Sequence, residues 1–223
     1  MDFMKWISSL DEFLYEVMSW LVFFPVTLWR TLSRPLAMMD YADRQLALPE
    51  RDQYAAALSP PLFLALALLL AHGVSVAFGQ SDAIVESRRG LAGVVNDDVS
   101  ALILRMVLFA GFPLFAAVRL IRRRGVPLDR PSLRLPFYAQ CYPAAVFALG
   151  LSLSVDVATL HGPRSAIAAA LLAVCSLLYY AVLETRWFAR SLAIGHARAA
   201  LDVAFTFAQA LALFAVMGFL FTR

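Results

Sequence analysis

The sequence predicts an all-α integral membrane protein, with five transmembrane helices preceded by an amphipathic, interfacial N-terminal helix. Three observations carry that expectation. Of 223 residues, 61% are hydrophobic and only 16% are charged, against roughly 45–50% and about 25% in soluble domains, and the mean hydropathy is +0.73. Five apolar runs of spanning length follow residue 60. Arginines crowd the segments between alternate runs, above all in Val118-Arg119-Leu120-Ile121-Arg122-Arg123-Arg124 with Arg130 and Arg134 downstream.

Residues 1–60 are expected to form a cytoplasmic or interfacial N-terminal region, and residues 61–223 the transmembrane domain. Within the first region, residues 13–29 are apolar, but the stretch from Val17 to Trp29 is shorter than the about 20 residues a span needs, and Pro25 interrupts it. Trp20, Phe23, Phe24 and Trp29, with Arg30 and Arg34 beside them, favour the headgroup boundary. An interfacial or re-entrant helix is the first expectation and a short kinked span the alternative. Acidic Asp2, Asp11, Glu12 and Glu16 do not suit a cleaved signal peptide. Residues 31–60 are polar, expected to be helical in part, and punctuated by Pro35, Pro49 and Ser59-Pro60-Pro61, as in a solvated lead-in where Asp40 and Arg44 lie at i, i+4.

The spans are placed at about 61–79, 101–121, 137–160, 165–184 and 199–221. Asn96-Asp97-Asp98 is positioned to cap the second, and only His161-Gly162-Pro163-Arg164 separates the third from the fourth, which predicts a tight hairpin. With five spans, one side carries Lys5, Arg30, Arg34, Arg44 and Arg51, then Arg119 to Arg134, then Arg186, Arg190 and Arg198. The other carries Arg88, Arg89, Arg164 and Arg223. Fourteen basic residues against four, with Arg105 inside a span, predict a cytoplasmic N-terminus and 119–134 loop and an outward C-terminus, as in a bacterial inner membrane.

A charged side chain within hydrocarbon costs roughly 2.5–3.5 kcal/mol on insertion scales, so each one calls for a partner or a task. Arg105 and Asp156 lie about one turn from the outer ends of adjacent spans, which predicts an ion pair. Glu184 and Asp202 share the inner end with Arg186, Arg190 and Arg198. Gln140, Ala144, Ala148, Ser152 and Asp156 form a stripe of period four on the third span. Ser176, Tyr180 and Glu184 form one on the fourth, and Asp202, Thr206 and Gln209 one on the fifth. Small and hydrogen-bonding residues of this kind line helix interfaces in bilayers, so the stripes are expected to face one another. His72, near mid-bilayer with Ser75 on its face, is the deepest ionisable group.

Catalytic patterns are missing: there is no His-Glu-x-x-His, Gly-x-Ser-x-Gly or Walker-type glycine loop. Cys141 and Cys175 lie in apolar runs, and His161 and His196 have no metal-ligand spacing with either, so neither metal nor cofactor is expected. The net charge of +3, with arginines flanking apolar runs, suits a lipid bilayer rather than nucleic acid.

Pro35 in Leu-Ser-Arg-Pro-Leu, Ser59-Pro60-Pro61-Leu62-Phe63 opening the first span and Leu135-Pro136-Phe137-Tyr138 opening the third together resemble the Yip family of small five-span membrane proteins, over roughly residues 31–221. Eukaryotic members act with small GTPases in vesicle traffic. The Ala- and Arg-rich composition looks bacterial, so that partner does not carry over. No functional residue is transferred by the resemblance. The function expected is a non-enzymatic membrane protein that organises a protein or lipid partner. The alternative is a small oligomeric transporter or channel whose polar path uses the intramembrane groups.

Overall fold

A computed structural model describes residues 2–78, 98–160 and 162–222. The described residues form α1 (Asp2–Ser33), α2 (Pro35–Leu46), a short turn at Glu50–Asp52, α3 (Pro60–Ala77), α4 (Asp98–Arg124), α5 (Arg130–Thr159), α6 (Pro163–Leu192) and α7 (His196–Thr222). Helices α3 to α7 are each long and apolar enough to cross a membrane. Arg88, Arg89 and Arg223 of the charge count, the Asn96-Asp97 part of the proposed cap, and His161 lie outside the described residues.

The bundle is organised around α5, which packs against α6, α3, α4 and α2. Ala139, Cys141, Ala144, Ala145 and Ala148 are fully buried along it. Side chains this small let neighbouring backbones approach closely. The closest approach is at Gly150, where a Cβ would collide with Ser176 Oγ of α6. Arg130 opens α5 because Asp129 caps it: the Asp129 carboxylate accepts from the Ser132 amide at 2.8 Å, and the Ser132 hydroxyl accepts from the Asp129 amide at 3.1 Å. The helix therefore begins well before residue 137, and Pro136 and Pro143 lie within it.

Six rings from four helices fill the middle of the bundle. Phe112 of α4 is their hub, with ring centroids 5.2 Å from Phe147, 5.5 Å from Phe207, 5.8 Å from Phe214, and 6.1 Å from both Phe109 and Tyr180. Phe147 stacks on Tyr180 at 5.0 Å. Such pairs contribute about 0.5–1.5 kcal/mol each beyond burial.

Three sequence expectations about the N-terminal region need correction. Residues 31–60 are not a solvated lead-in, because Met38, Met39 and Ala42 of α2 are buried and α2 packs on α5. Asp40 does not serve an internal pair with Arg44; it takes both Nη atoms of Arg190 on α6, at 2.9 and 3.0 Å. The segment leading into α3 is bolted down as well. Tyr142 Oη donates to the Leu58 carbonyl (2.8 Å), the Leu58 amide donates to Thr27 Oγ1 (3.1 Å), and Arg30 Nη1 donates to the Ala56 carbonyl (2.7 Å).

Residues 13–29 are not a separate short element: α1 runs unbroken through Pro25 for 32 residues, about 48 Å at 1.5 Å per residue. Its second half is held in the bundle through buried Thr27 and Thr31 and by Tyr179 Oη donating to the Thr31 carbonyl at 2.8 Å. Between residues 10 and 21 it exposes Leu10, Phe13, Leu14, Tyr15, Met18 and Leu21.

Candidate functional site

The stretch Arg119 to Arg124 is the end of α4 rather than a loop, and the loop proper is only residues 125–129. Positive Gly125 φ (66°) ends the helix in a conformation that glycine adopts readily. Cations in the last turn of a helix are favoured by the carbonyl end of its dipole. Helical spacing also separates the four arginines by face. Arg119 and Arg123 are four residues apart and point at α7, where Asp202 meets them.

The resulting clamp is tight. Arg119 Nε and Nη2 reach Asp202 Oδ1 at 2.8 and 2.6 Å, and Arg123 Nε and Nη2 reach Oδ2 at 2.9 and 2.8 Å. The carboxylate is 1% exposed while the arginines are 30% and 47% exposed. A buried anion with two forked donors is the geometry in which ion pairs are strongest. Arg119 also lies over the Phe205 ring, 4.6 Å from its centroid. Of Arg186, Arg190 and Arg198, expected at the same end as Asp202, none is its partner in the clamp. Arg186 and Arg198 stand exposed and Arg190 holds Asp40. Arg122 and Arg124 are exposed, and among the described residues Arg122 has no hydrogen bond or ion pair.

A groove of about 270 Å³ opens beside the clamp, walled by Leu114, Phe115, Val118 and Phe205 and bordered by Arg119 and Arg122. Gln209 also lines it, so this member of the α7 stripe serves the groove, while Asp202 and Thr206 are buried.

The other sequence-derived residues are spread along the bundle. On α5, Gln140, Ala144, Ala148 and Asp156 are buried, and on α6 Tyr180 and Glu184. Asp156 Oδ1 accepts from Ser75 Oγ of α3 at 2.6 Å, and the same hydroxyl lies 3.1 Å from the Ala71 carbonyl. His72 is half-buried on α3, one turn before Ser75, and Arg105 is half-buried on α4. Glu184 is 1% exposed, and among the described residues neither of its oxygens has a hydrogen-bond partner; the same holds for the side-chain amide of Gln140 and Nε1 of Trp187.

A second polar cluster, which the sequence did not single out, sits where α2 meets the basic end. Burial and the neighbouring Asp40 push the Asp43 carboxyl up to about 6, with Arg124 and Arg190 opposing them. Burial likewise raises the Tyr41 and Tyr54 phenols. Tyr54 adopts a left-handed backbone (φ 57°), and its amide donates to Gln45 Oε1 at 2.6 Å. The signal in the sequence was the run of aromatic and acidic residues in a segment otherwise read as solvated.

No protein-family model, curated protein or solved structure matches the chain. Among the described residues no group of three or more His, Cys, Asp or Glu side chains is placed to hold a metal. Chemically, the end of α4 carries more positive charge than Asp202 neutralises, beside an apolar groove.

Proposed function

We propose that the chain is a non-enzymatic, multi-pass protein of a bacterial inner membrane, whose basic end faces the cytoplasm and organises a protein or lipid partner there. The clamp carries the proposal. Asp202 fixes Arg119 and Arg123, leaving a surplus positive charge in a set geometry, while Arg122 and Arg124 stand exposed next to it. Fixed donors lose less freedom on binding than mobile ones. The ring cluster about Phe112 supports an organising role over a conducting one, since packed rings occupy the centre of the five helices. The five-helix order after a proline-punctuated approach is the part of the Yip-family resemblance that the proposal keeps.

The alternative, a small oligomeric transporter or channel, is favoured by one observation: Glu184 and Gln140 are buried polar side chains without partners, and such groups inside a bilayer mark ion or proton routes. Reconstitution separates the two. The purified full chain in liposomes is expected to pass neither protons nor small ions, and cross-linking in native membranes is expected to trap a partner at the basic end that Arg122→Gln with Arg124→Gln releases. Flux that disappears in Glu184→Gln would replace the proposal with the alternative.

A further inference from the structure

We propose that the groove between α4 and α7 is a binding site for one anionic glycerophospholipid, with an acyl chain against Leu114, Val118 and Phe205 and the phosphodiester on Arg122 beside Arg119. This deepens the proposed function and rests on the basic end being a partner-organising face. The groove is divided chemically along its length. Apolar side chains form its wall and two guanidinium groups border it. A free phosphate would use only that border, whereas a phospholipid uses both parts. Basic pockets between membrane helices at the cytoplasmic side select anionic headgroups.

The two arginines have different tasks. Arg119 is already held, 2.6 Å from Asp202 and stacked on Phe205, so it forms a rigid positive floor with little ordering cost on binding. Arg122 is exposed and makes no hydrogen bond or ion pair among the described residues, so its forked donors remain for two phosphate oxygens. Two arginines sharing one carboxylate leave the clamp with one net positive charge, to which Arg122 adds a second. A zwitterionic headgroup gains less from that field than an anionic one. The Gln209 amide inside the groove offers a donor for an ester carbonyl. Another apolar groove, about 390 Å³ between α1 and α3 and lined by Val17, Trp20, Leu21, Leu69 and Leu70 among others, has no charged residue in its lining. It therefore has nothing with which to choose a headgroup.

The test titrates the detergent-purified full chain with dioleoyl phosphatidylglycerol, dioleoyl phosphatidylcholine and inorganic phosphate, with binding read by native mass spectrometry. Phosphatidylglycerol is expected to bind at least about fivefold more tightly than phosphatidylcholine, the ratio that one basic residue near a surface supplies. Arg122→Gln is expected to remove about that factor, Leu114→Trp to abolish the tight site by filling its wall, and Arg44→Gln to change nothing, all three melting like the wild type. Equal binding of the two lipids, or equal losses in Arg44→Gln and Arg122→Gln, would overturn the site in favour of diffuse attraction. Displacement of the lipid by an equal concentration of inorganic phosphate would overturn it in favour of a free-anion site. If the lipid fails while a protein partner still cross-links, the groove is wrong and the proposed function stands. Flux lost in Glu184→Gln would remove that function whatever the titration gives.

Discussion

At the scale of single residues, the basic end of the molecule turns on Asp202. Its carboxylate is withdrawn from solvent between two arginines that remain partly wet. Removing one partner of a buried pair costs about 3–5 kcal/mol when the survivor is trapped. Here the survivors of Asp202→Ala are arginines that can turn to water, so the loss is expected near about 3 kcal/mol, read as a lowered melting temperature in detergent. Arg119→Ala alone is expected to cost less, since Arg123 still holds both oxygens of the carboxylate. Asp43 links stability to pH. Its folded value, about 6, lies above the ordinary value of about 3.9. The folded state therefore binds the proton more tightly, and the stability this contributes is full at low pH and lost as pH rises from about 4 through about 6. A pH series of melting temperatures is expected to show that fall in the wild type and to lose it in Asp43→Asn. The sequence exposed Asp202, Asp156 and Glu184 as groups needing an explanation because a charge in an apolar run is conspicuous. It did not reveal that Arg119 and Arg123 meet Asp202 or that the Ser75 hydroxyl donates to Asp156, since which side chain meets a carboxylate depends on which helices are neighbours.

At the scale of elements, α5 decides how closely the other helices can come. Its small-residue stripe was legible because period four survives in any apolar run, and α5 buries Ala144 and Ala148 fully. At Gly150 the backbone meets Ser176 with no room for a side chain, so Gly150→Leu is expected to force α5 from α6 at a cost of about 1–3 kcal/mol. Phe112→Ala is expected to cost about 3–5 kcal/mol by emptying the centre of the ring cluster; both are measurable as shifts in the midpoint of unfolding. Two features escaped the sequence, the burial of one face of α2 and the continuation of α4 through Arg124. Helix α2 looked solvated because Asp40, Asp43, Arg44 and Gln45 interrupt its apolar residues, and the face of Met38, Met39 and Ala42 becomes meaningful only once α5 is there to receive it. The arginine-rich stretch looked like a loop because charge was taken as the mark of a turn, whereas the helical spacing of Arg119 and Arg123 was the better guide.

At the scale of the whole molecule, five helices long and apolar enough to cross a membrane enclose an interior closed by aromatic rings. Helices α6 and α7 turn Ile167, Leu171, Leu178, Leu201, Leu211 and Phe219 outward, a surface suited to hydrocarbon and poorly suited to water. Hydropathy alone located these five helices, since about 20 apolar residues in a row have few other uses. The count of basic residues is the basis for the proposed direction, which would place the clamp and its groove on the cytoplasmic side. That direction is tested by single cysteines at Val126→Cys, beside the clamp, and Thr222→Cys, at the opposite end of α7, in a chain carrying Cys141→Ser and Cys175→Ser. Treated with a membrane-impermeant thiol reagent, intact cells are expected to label position 222 and to leave position 126 unlabelled until the membrane is permeabilised. Labelling of position 126 in intact cells, or of both positions from the same side, would contradict the five-span topology and the cytoplasmic placement of the basic end.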